Sequence, residues 1–327
     1  MPNRILVTGS SGFIGVHLVK TLISHGYVVH GTDVRMPAFS ANNFHFVKCD
    51  IVNADELRQV LSNCQPHAVV HLAARTDLDG KGIDEYAANV AGVQNLVETI
   101  ADTPSVQRCI YTSSQLVCRV GYVPKDDQDY CPNTIYGESK VLTEQITKQH
   151  DGGGREWCLV RPTTVWGAGI RPHYQHFFRM ISQGRYFFVG RRPLFKSYSY
   201  VGNIVYQYQK ILEASTEQVH RKTFYLADYE PISLRAWVNA FQRELGARPV
   251  PTVPEPFAKV MACLGDMINL VGVKSFPFNS FRLKNILTEY QFDLANTEKV
   301  CGPLPYNMEQ GVQETAVWIR TLLKNEA

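Results

Sequence analysis
A chain of 327 residues is long enough for one large domain or for a domain with a smaller partner. Its 45% hydrophobic and 19% charged content is that of a soluble globular protein, and a net charge of +3 with no long basic run argues against a nucleic-acid partner. The eight cysteines are scattered, with no CxxC pair and no histidine at metal-ligand spacing, so they read as buried free thiols in a reducing compartment.

The first half alternates short apolar runs with amphipathic segments. Arg4–Thr8 is a β-branched run, and residues 12–25 repeat apolar side chains at helical spacing. Runs at 27–32 and 44–49 follow, then a helix over 54–62 opened by polar residues. Further runs at 68–72, 108–113 and 157–161 are separated by helical patterns over 84–100 and 135–150, and "DGGGRE" at 151–156 reads as a turn. Continuous short apolar runs between helices are what a parallel sheet covered on both faces requires, so the predicted fold is a doubly wound α/β sheet. Beyond about Gly167, prolines, aromatics and basic residues cluster irregularly. The predicted division is a nucleotide-binding domain over 1–166 and a smaller substrate-binding cap over 167–327, with one strand near 199–204 returning to the sheet. The apolar segment 257–273 is interrupted by Lys259 and Asp266 and is shorter than the roughly 20 residues a spanning helix needs, so a packed or lid helix is expected and no membrane span. No basic-then-apolar leader precedes the first strand, which points to a cytoplasmic protein.

"LVTGSSGFIG" carries Gly9, Gly12 and Gly15 between the first strand and the first helix. There the chain must turn sharply, admit a pyrophosphate to the backbone and start a helix against the sheet, and each step favours a residue without Cβ. The helix N-terminus then offers unpaired N–H groups and partial positive charge to the phosphates. The spacing is GxxGxxG, one residue longer than the usual dinucleotide fingerprint. Asp33 closes the next strand, where an acid accepts hydrogen bonds from an adenosine ribose and repels a 2′-phosphate. NAD is favoured over NADP; Arg35, two residues on, is the one feature that pulls the other way.

"IYGESK" sets Tyr136 and Lys140 four apart, on one helix face, and "YTSSQ" places Ser113 and Ser114 at the end of a strand. A phenol, with a pKa near 10 in water, is a poor base. A cationic lysine and a positively charged nicotinamide beside it both favour the phenolate. A serine hydroxyl would hold the substrate oxygen next to that phenol. His71 reads as a structural residue of the cofactor loop, the aromatics over 177–208 as cap core, and His173 with His176 lacks a nearby carboxylate or thiolate, so no metal is expected.

Together these residues resemble the extended short-chain dehydrogenase/reductases, the group of NAD-dependent nucleotide-sugar epimerases and dehydratases. The resemblance rests on "TGSSGFIG" (8–15), "CDI" (49–51), "HLAA" (71–74), Asn89 ahead of "GVQNL", "SSQLV", "YGESK", "RPTTVWG" (161–167) and "GVQETAVWI", and so runs nearly the length of the chain. It implies that Ser11, Phe13 and Ile14 join the three glycines at the cofactor, that Asp50 and Ile51 meet the adenine, and that Leu72, Ala73, Ala74 and Asn89 line the cofactor. It further implies that Ser114, Tyr136 and Lys140 are catalytic, with Tyr136 and Lys140 also reaching the cofactor, and that the helices of Asn89 and Tyr136 form a homodimer interface.

Departures from the family pattern narrow the chemistry. Sugar-nucleotide dehydratases carry Asp-Glu after the catalytic hydroxyl residue, whereas this chain has Gln115 and Leu116, which argues against elimination. Lys196 in "KSYSYVGN" stands where many relatives place an arginine for the substrate diphosphate, a point charge in place of a fork, and Arg282 is a candidate to share that task. "YVGN" is also similar to the 3β-hydroxysteroid dehydrogenase branch. The expected activity is NAD-dependent epimerisation of a nucleotide-diphosphate sugar through a transient 4-keto intermediate. The alternatives are a 4-keto-sugar reductase or hydroxyl dehydrogenase, with a steroid-like substrate as one option, and an NAD-sensing module without turnover.

Overall fold
The computed structural model describes residues 4–270 and 278–324. Seven strands, β1 (Arg4–Thr8), β2 (Val28–Asp33), β3 (Phe44–Lys48), β4 (Ala68–His71), β5 (Arg108–Thr112), β6 (Glu156–Pro162) and β7 (Lys222–Leu226), pair in the order β3-β2-β1-β4-β5-β6-β7. Every pairing is parallel. The doubly wound sheet read from the apolar runs is therefore the fold. Its strand order reverses between β1 and β4, which opens a ligand crevice at their carboxyl ends.

Helices α1 (Phe13–Ser24), α2 (Ala54–Cys64), α3 (Ala91–Ala101) and α4 (Ile135–Gln149) link successive strands. Local chemistry sets their starts: Asn53 Oδ1 accepts from the Asp55 and Glu56 amides at the head of α2, and Thr134 Oγ1 accepts from Gly137 at the head of α4. The sheet core includes Leu6, Val69, Leu96, Tyr111 and Leu159, all but fully buried. Burial of such side chains stabilises the fold by about 1.5–3 kcal/mol each.

Two sequence expectations change. The helix expected over 84–100 is broken: Ile83–Asn89 is a 3-10 segment in which Tyr86 leaves helical geometry (φ −103°, ψ 35°), and α3 starts only after Val90. The cause is long-range, since the Asn89 side chain bonds the backbone of Arg75 on the loop after β4. The segment near 199–204 does not join the main sheet. Tyr198–Tyr200 is a short strand that leads into the helix Val201–Glu213, and the strand that returns is β7. Val201, Ile204, Val205, Tyr208, Ile211 and Leu212 are buried at helical spacing, so the apolar run was the first turn of an amphipathic helix.

The chain divides into two compact units, each assembled from separated stretches. The first comprises Met1–Val165, Ser199–Tyr229 and Phe292–Pro305, and the second comprises Trp166–Tyr198, Glu230–Gln291 and Tyr306–Ala327. The second unit is built on an aromatic core in which Trp237 stacks on Phe177 at 5.2 Å and meets Trp166 and Phe241 edge-on. Its helix Glu255–Leu270 buries Ala258 and Ala262 and leaves Phe257, Val260, Leu264 and Met267 exposed. Residues 271–273 of the predicted lid segment lie outside the described residues. Among the described residues no helix is long and apolar enough to cross a membrane.

One buried ion pair fastens α4 to the sheet. Arg161 on β6 and Glu144 on α4 are both about 1% exposed or less, and they bond through Nε–Oε1 and NH2–Oε2, each at 2.8 Å. Burial opposes the arginine charge, but Glu144 outweighs it and holds the Arg161 pKa above its ordinary value. Tyr130 also donates to Glu144, at 2.9 Å. Removing one member of such a pair strands the other charge, which typically costs about 3–5 kcal/mol. We expect Glu144→Ala to lose that amount in a urea titration, and the double change Glu144→Leu with Arg161→Met to recover much of it. A single variant within 1 kcal/mol of the parent would contradict this account of the pair.

Candidate active site
The loop after β1 is shaped by close backbone approaches. Gly9 has φ +71°, and a Cβ there would fall 2.6 Å from the Ala73 nitrogen, so the glycine loop packs directly on the loop after β4. A Cβ on Gly15 would fall 2.2 Å from the Gly9 carbonyl oxygen, so only glycine lets α1 start this close to the turn. Gly12 is the N-cap of α1 and supplies no side-chain bond, so the first-turn amides of Phe13, Ile14 and Gly15 face outward from the helix end.

Asp33, 9% exposed at the end of β2, accepts from the Ser11 amide at 3.1 Å and the Arg35 amide at 3.0 Å. A carboxylate has about four acceptor sites, so two such bonds leave room for ribose hydroxyls. Arg35 is mostly exposed, with Nε 3.8 Å from Asp33. A backbone cradle that a Cβ would fill, an uncapped helix N-terminus and an ionisable acid at the next strand end are the donor set a dinucleotide needs, and these residues fit NAD.

Other predicted cofactor residues divide into lining and supporting positions. Leu72, Ala73 and Ala74 are half-buried beside the glycine loop, with the Leu72 amide on the Thr8 carbonyl at 3.0 Å and the Ala73 amide on Thr8 Oγ1 at 3.3 Å. Asp50 is exposed and Ile51 is packed against Gly92. Asn89 is fully buried and occupied within the chain: Oδ1 accepts from the Arg75 amide, and Nδ2 donates to the Arg75 carbonyl and to Ser139 Oγ. It clamps the loop after β4 to α4.

The catalytic candidates converge at the end of β5. Ser114 is extended and 8% exposed, and its Oγ accepts from the Leu116 amide at 3.1 Å. Lys140 is 2% exposed and donates to the Thr112 carbonyl at 2.9 Å, two residues before Ser114. Tyr136 lies one turn earlier on the same helix, its ring 6.1 Å from that of Tyr86. Burial lowers the Lys140 pKa to about 8, with Glu144, one turn on, pulling the other way. His71 is buried, bonded to Thr8 Oγ1 at 2.8 Å, and burial with Lys140 nearby pushes its pKa down to about 3. It is a neutral support of the glycine loop.

Lys196 and Arg282 belong to the second unit. Lys196 is 3% exposed, donates to the Asn285 carbonyl at 2.7 Å and lies 5.4 Å from the Tyr290 ring centre. Burial lowers its pKa to about 8 against the pull of Glu289. Asn285 lies on the helix Ser280–Leu287 that carries the half-buried Arg282, so Lys196 is bonded to the helix on which Arg282 sits. Among the described residues no cluster of three metal-ligating side chains occurs, and the His173 side chain lies outside the described residues.

Sequence reasoning missed the Thr112 carbonyl, because a backbone oxygen carries no residue signature. It also missed Tyr208, whose hydroxyl bonds Thr112 Oγ1 at 2.8 Å from the helix Val201–Glu213.

The model of the NAD dependent epimerase/dehydratase family matches residues 5–204. The chain belongs to this family. Its fold and its fitted cofactor site are thus those of an NAD-dependent enzyme of the extended short-chain dehydrogenase/reductase type. It is 26% identical to a 3 beta-hydroxysteroid dehydrogenase/Delta 5→4-isomerase of Mycobacterium tuberculosis, over 99% of this chain and 93% of the relative. It is 24% identical to N-acetyl-alpha-D-glucosaminyl-diphospho-ditrans,octacis-undecaprenol 4-epimerase of Escherichia coli O157:H7, over 96% and 95% of the two chains. The fold matches UDP-glucuronic acid 4-epimerase of Bacillus cereus, solved in complex with NAD, at a TM-score of 0.75 and 20% identity, covering 98% and 99% of the two chains.

Lys140 provides a direct test of the site's electrostatics. Its folded pKa lies below the unfolded value, so the buried charge opposes folding below about pH 8, and stability rises as the pH moves from 8 toward 10.5. Lys140→Met should therefore raise the melting temperature at pH 7 and flatten its rise above pH 8. A variant that melts lower than the parent at pH 7 would show that the ammonium is a net stabiliser.

Proposed function
We propose that the chain is an NAD-dependent epimerase of a nucleotide-diphosphate sugar that acts through a transient 4-keto intermediate. The observation that carries this reading is the buried Lys140 ammonium on the Thr112 carbonyl, one helical turn from Tyr136 and two residues from Ser114. The 4-epimerase relative from Escherichia coli and the Bacillus cereus neighbour support epimerisation of a diphosphate-linked sugar.

In this reading the Tyr136 phenolate takes the proton of the sugar 4-hydroxyl and later returns it. The Lys140 charge stabilises that phenolate across a partly dry site, where a cation is worth several times more than in water. Ser114 Oγ accepts from the Leu116 amide through one lone pair, a bond that uses no hydroxyl hydrogen and leaves it to donate to the substrate oxygen. NAD, held by the glycine loop and Asp33, would supply reversible hydride acceptance at the sugar carbon. Gln115 and Leu116 hold no ionisable group, so neither can serve as the acid or base that elimination needs. Arg282 and Lys196 are our assignment for the substrate diphosphate, the Lys196 ammonium keeping two donors beyond its bond to the Asn285 carbonyl.

Two further placements accompany this reading. A second copy packs against α3 and α4, supported by the half-exposed Val141 and Leu142 on α4, and a monomer at micromolar concentration in sedimentation equilibrium would exclude it. A reducing, cytoplasmic setting is supported by eight unpaired thiols, and a disulfide in protein taken from its native compartment would overturn it.

Tyr136→Phe should lower the inversion rate of UDP-sugars by about 10²–10⁴-fold while NAD binding persists. Inversion without net NADH in the parent identifies an epimerase. Stoichiometric NADH would instead assign a dehydrogenase, and turnover that survives the Phe variant would remove Tyr136 from the mechanism.

A further inference from the structure
Gln115 follows Ser114 directly and opens the short 3-10 turn Gln115–Val117. Its side chain is 9% exposed: Nε2 donates to Thr164 Oγ1 at 3.3 Å, and Oε1 is buried with no hydrogen-bond partner. Ser113 Oγ, just past β5, and Thr163 Oγ1, just past β6, are buried and unpartnered as well. The residues that carry these three atoms all follow the carboxyl ends of two adjacent strands. Buried polar atoms are nearly always paired, so an unpaired acceptor beside a reactive hydroxyl is a candidate to receive a donor from a ligand.

The turn lies against the helix that carries Tyr136. A Cβ on Gly137 would fall 2.3 Å from the Leu116 carbonyl oxygen, so Tyr136–Gly137 and Gln115–Leu116 are in close apposition. Gln115 also sits one residue from Ser114, about 3.8 Å along the chain. The residue with the unpaired acceptor is thus the neighbour of Ser114 on a turn that packs against the helix of Tyr136.

We propose that Gln115 Oε1 accepts a hydrogen bond from the substrate, from a hydroxyl or amide N–H on the ring carbon next to the one oxidised, and so selects a polyol ring. This deepens the proposed function and rests on its assignment of Ser114 and Tyr136 to the reacting hydroxyl. A hexose meets the demand, because its C4 hydroxyl has a hydroxyl at C3 beside it. A 3β-hydroxysteroid does not, because methylene groups flank its alcohol and would leave Oε1 unpaired. The amide is suited to the position: it accepts a hydrogen bond without adding negative charge beside the Tyr136 phenolate, and it does not ionise to act as an acid or base.

The test uses the full-length, NAD-loaded chain with UDP-glucose, UDP-N-acetylglucosamine and UDP-glucuronic acid, the 3-deoxy analogue of each, and dehydroepiandrosterone. Parent and Gln115→Leu are compared by kcat/KM, with melting temperature and NAD affinity as controls on folding. On a sugar with its C3 hydroxyl, Gln115→Leu should lose about tenfold to a hundredfold, while on the 3-deoxy analogue the two proteins should differ by less than about twofold. A structural role for Gln115 would lower both substrates alike, and that result overturns the proposal. Faster turnover of the steroid than of any sugar by the parent overturns it too. If no alcohol in the panel is turned over, or if turnover survives Tyr136→Phe, the broader reading of the site fails and takes this inference with it. If turnover depends on Tyr136 but not on Gln115, only the present inference fails.

Discussion
The contact on which the site depends is the Lys140 ammonium on the Thr112 carbonyl. It joins the middle of α4 to the last residue of β5, and everything reactive is counted from that point. Ser114 lies two residues beyond Thr112, and Tyr136 lies one helical turn before Lys140. One hydrogen bond therefore ties the strand end that leads to Ser114 to the helix that carries Tyr136. The bond is made by a nearly dehydrated cation, and burial holds that cation's pKa near 8. The helix thus carries a charge that burial disfavours one turn from Tyr136, the kind of placement that clusters at functional sites.

The rest of α4 is organised to hold that charge in register. Ser139, Thr143, Glu144 and Thr147 are fully buried, a polar inner face in place of the apolar stripe of an ordinary sheet-packing helix. Each is satisfied: Ser139 by Asn89 and the Tyr136 carbonyl, Thr143 by the Asn89 carbonyl, Glu144 by Arg161 and Tyr130, and Thr147 by the Thr143 carbonyl. Neutral bonds of this kind contribute only about 0.5–1.5 kcal/mol each. Their specificity matters more, because rotating α4 by one residue would bury Glu144 away from Arg161 and leave both charges stranded. Apolar packing tolerates slippage of that kind far better than a saturated polar face does.

The parts of the molecule legible in the sequence are those fixed by local pattern. β1 to β6 are short apolar runs because both faces of the sheet are covered, and the glycine loop announces itself because close backbone approach removes every Cβ. What the sequence hid depends on partners far along the chain. The break before α3 arises from Asn89 bonding Arg75, and nothing in the apolar spacing of 84–100 records it. Residues 199–203 could be a strand or the first turn of a helix, and five residues cannot separate the two periods. β7 escaped notice because Lys222 and Thr223 dilute its apolar character at the sheet edge. The Asn285 carbonyl that holds the Lys196 ammonium is remote in sequence, so no local pattern announces that contact. The Ser114, Tyr136 and Lys140 spacing was readable, whereas the carbonyl that positions it was not.

The residues after Ser114 then determine which reaction the common machinery can complete. A ketone formed beside Tyr136 has three exits: return of the hydrogen, loss of a neighbouring substituent, or departure from the site. The second requires an acid and a base within reach of the adjacent carbons, and Gln115 and Leu116 provide neither. The third is opposed by any bond that holds the ring from a second position, which is what an acceptor for the neighbouring hydroxyl does. The same acceptor is set against a ring that has no donor there, since leaving a buried amide oxygen unpaired costs about 1–3 kcal/mol, or roughly fivefold to a hundred-and-fiftyfold in selectivity. Retention of a polyol and rejection of an isolated alcohol thus follow from one atom, Gln115 Oε1. An amide in place of an acid leaves reduction back to the alcohol as the path of least resistance, and the stereochemical outcome is then decided by which face of the ring is presented when the hydrogen returns.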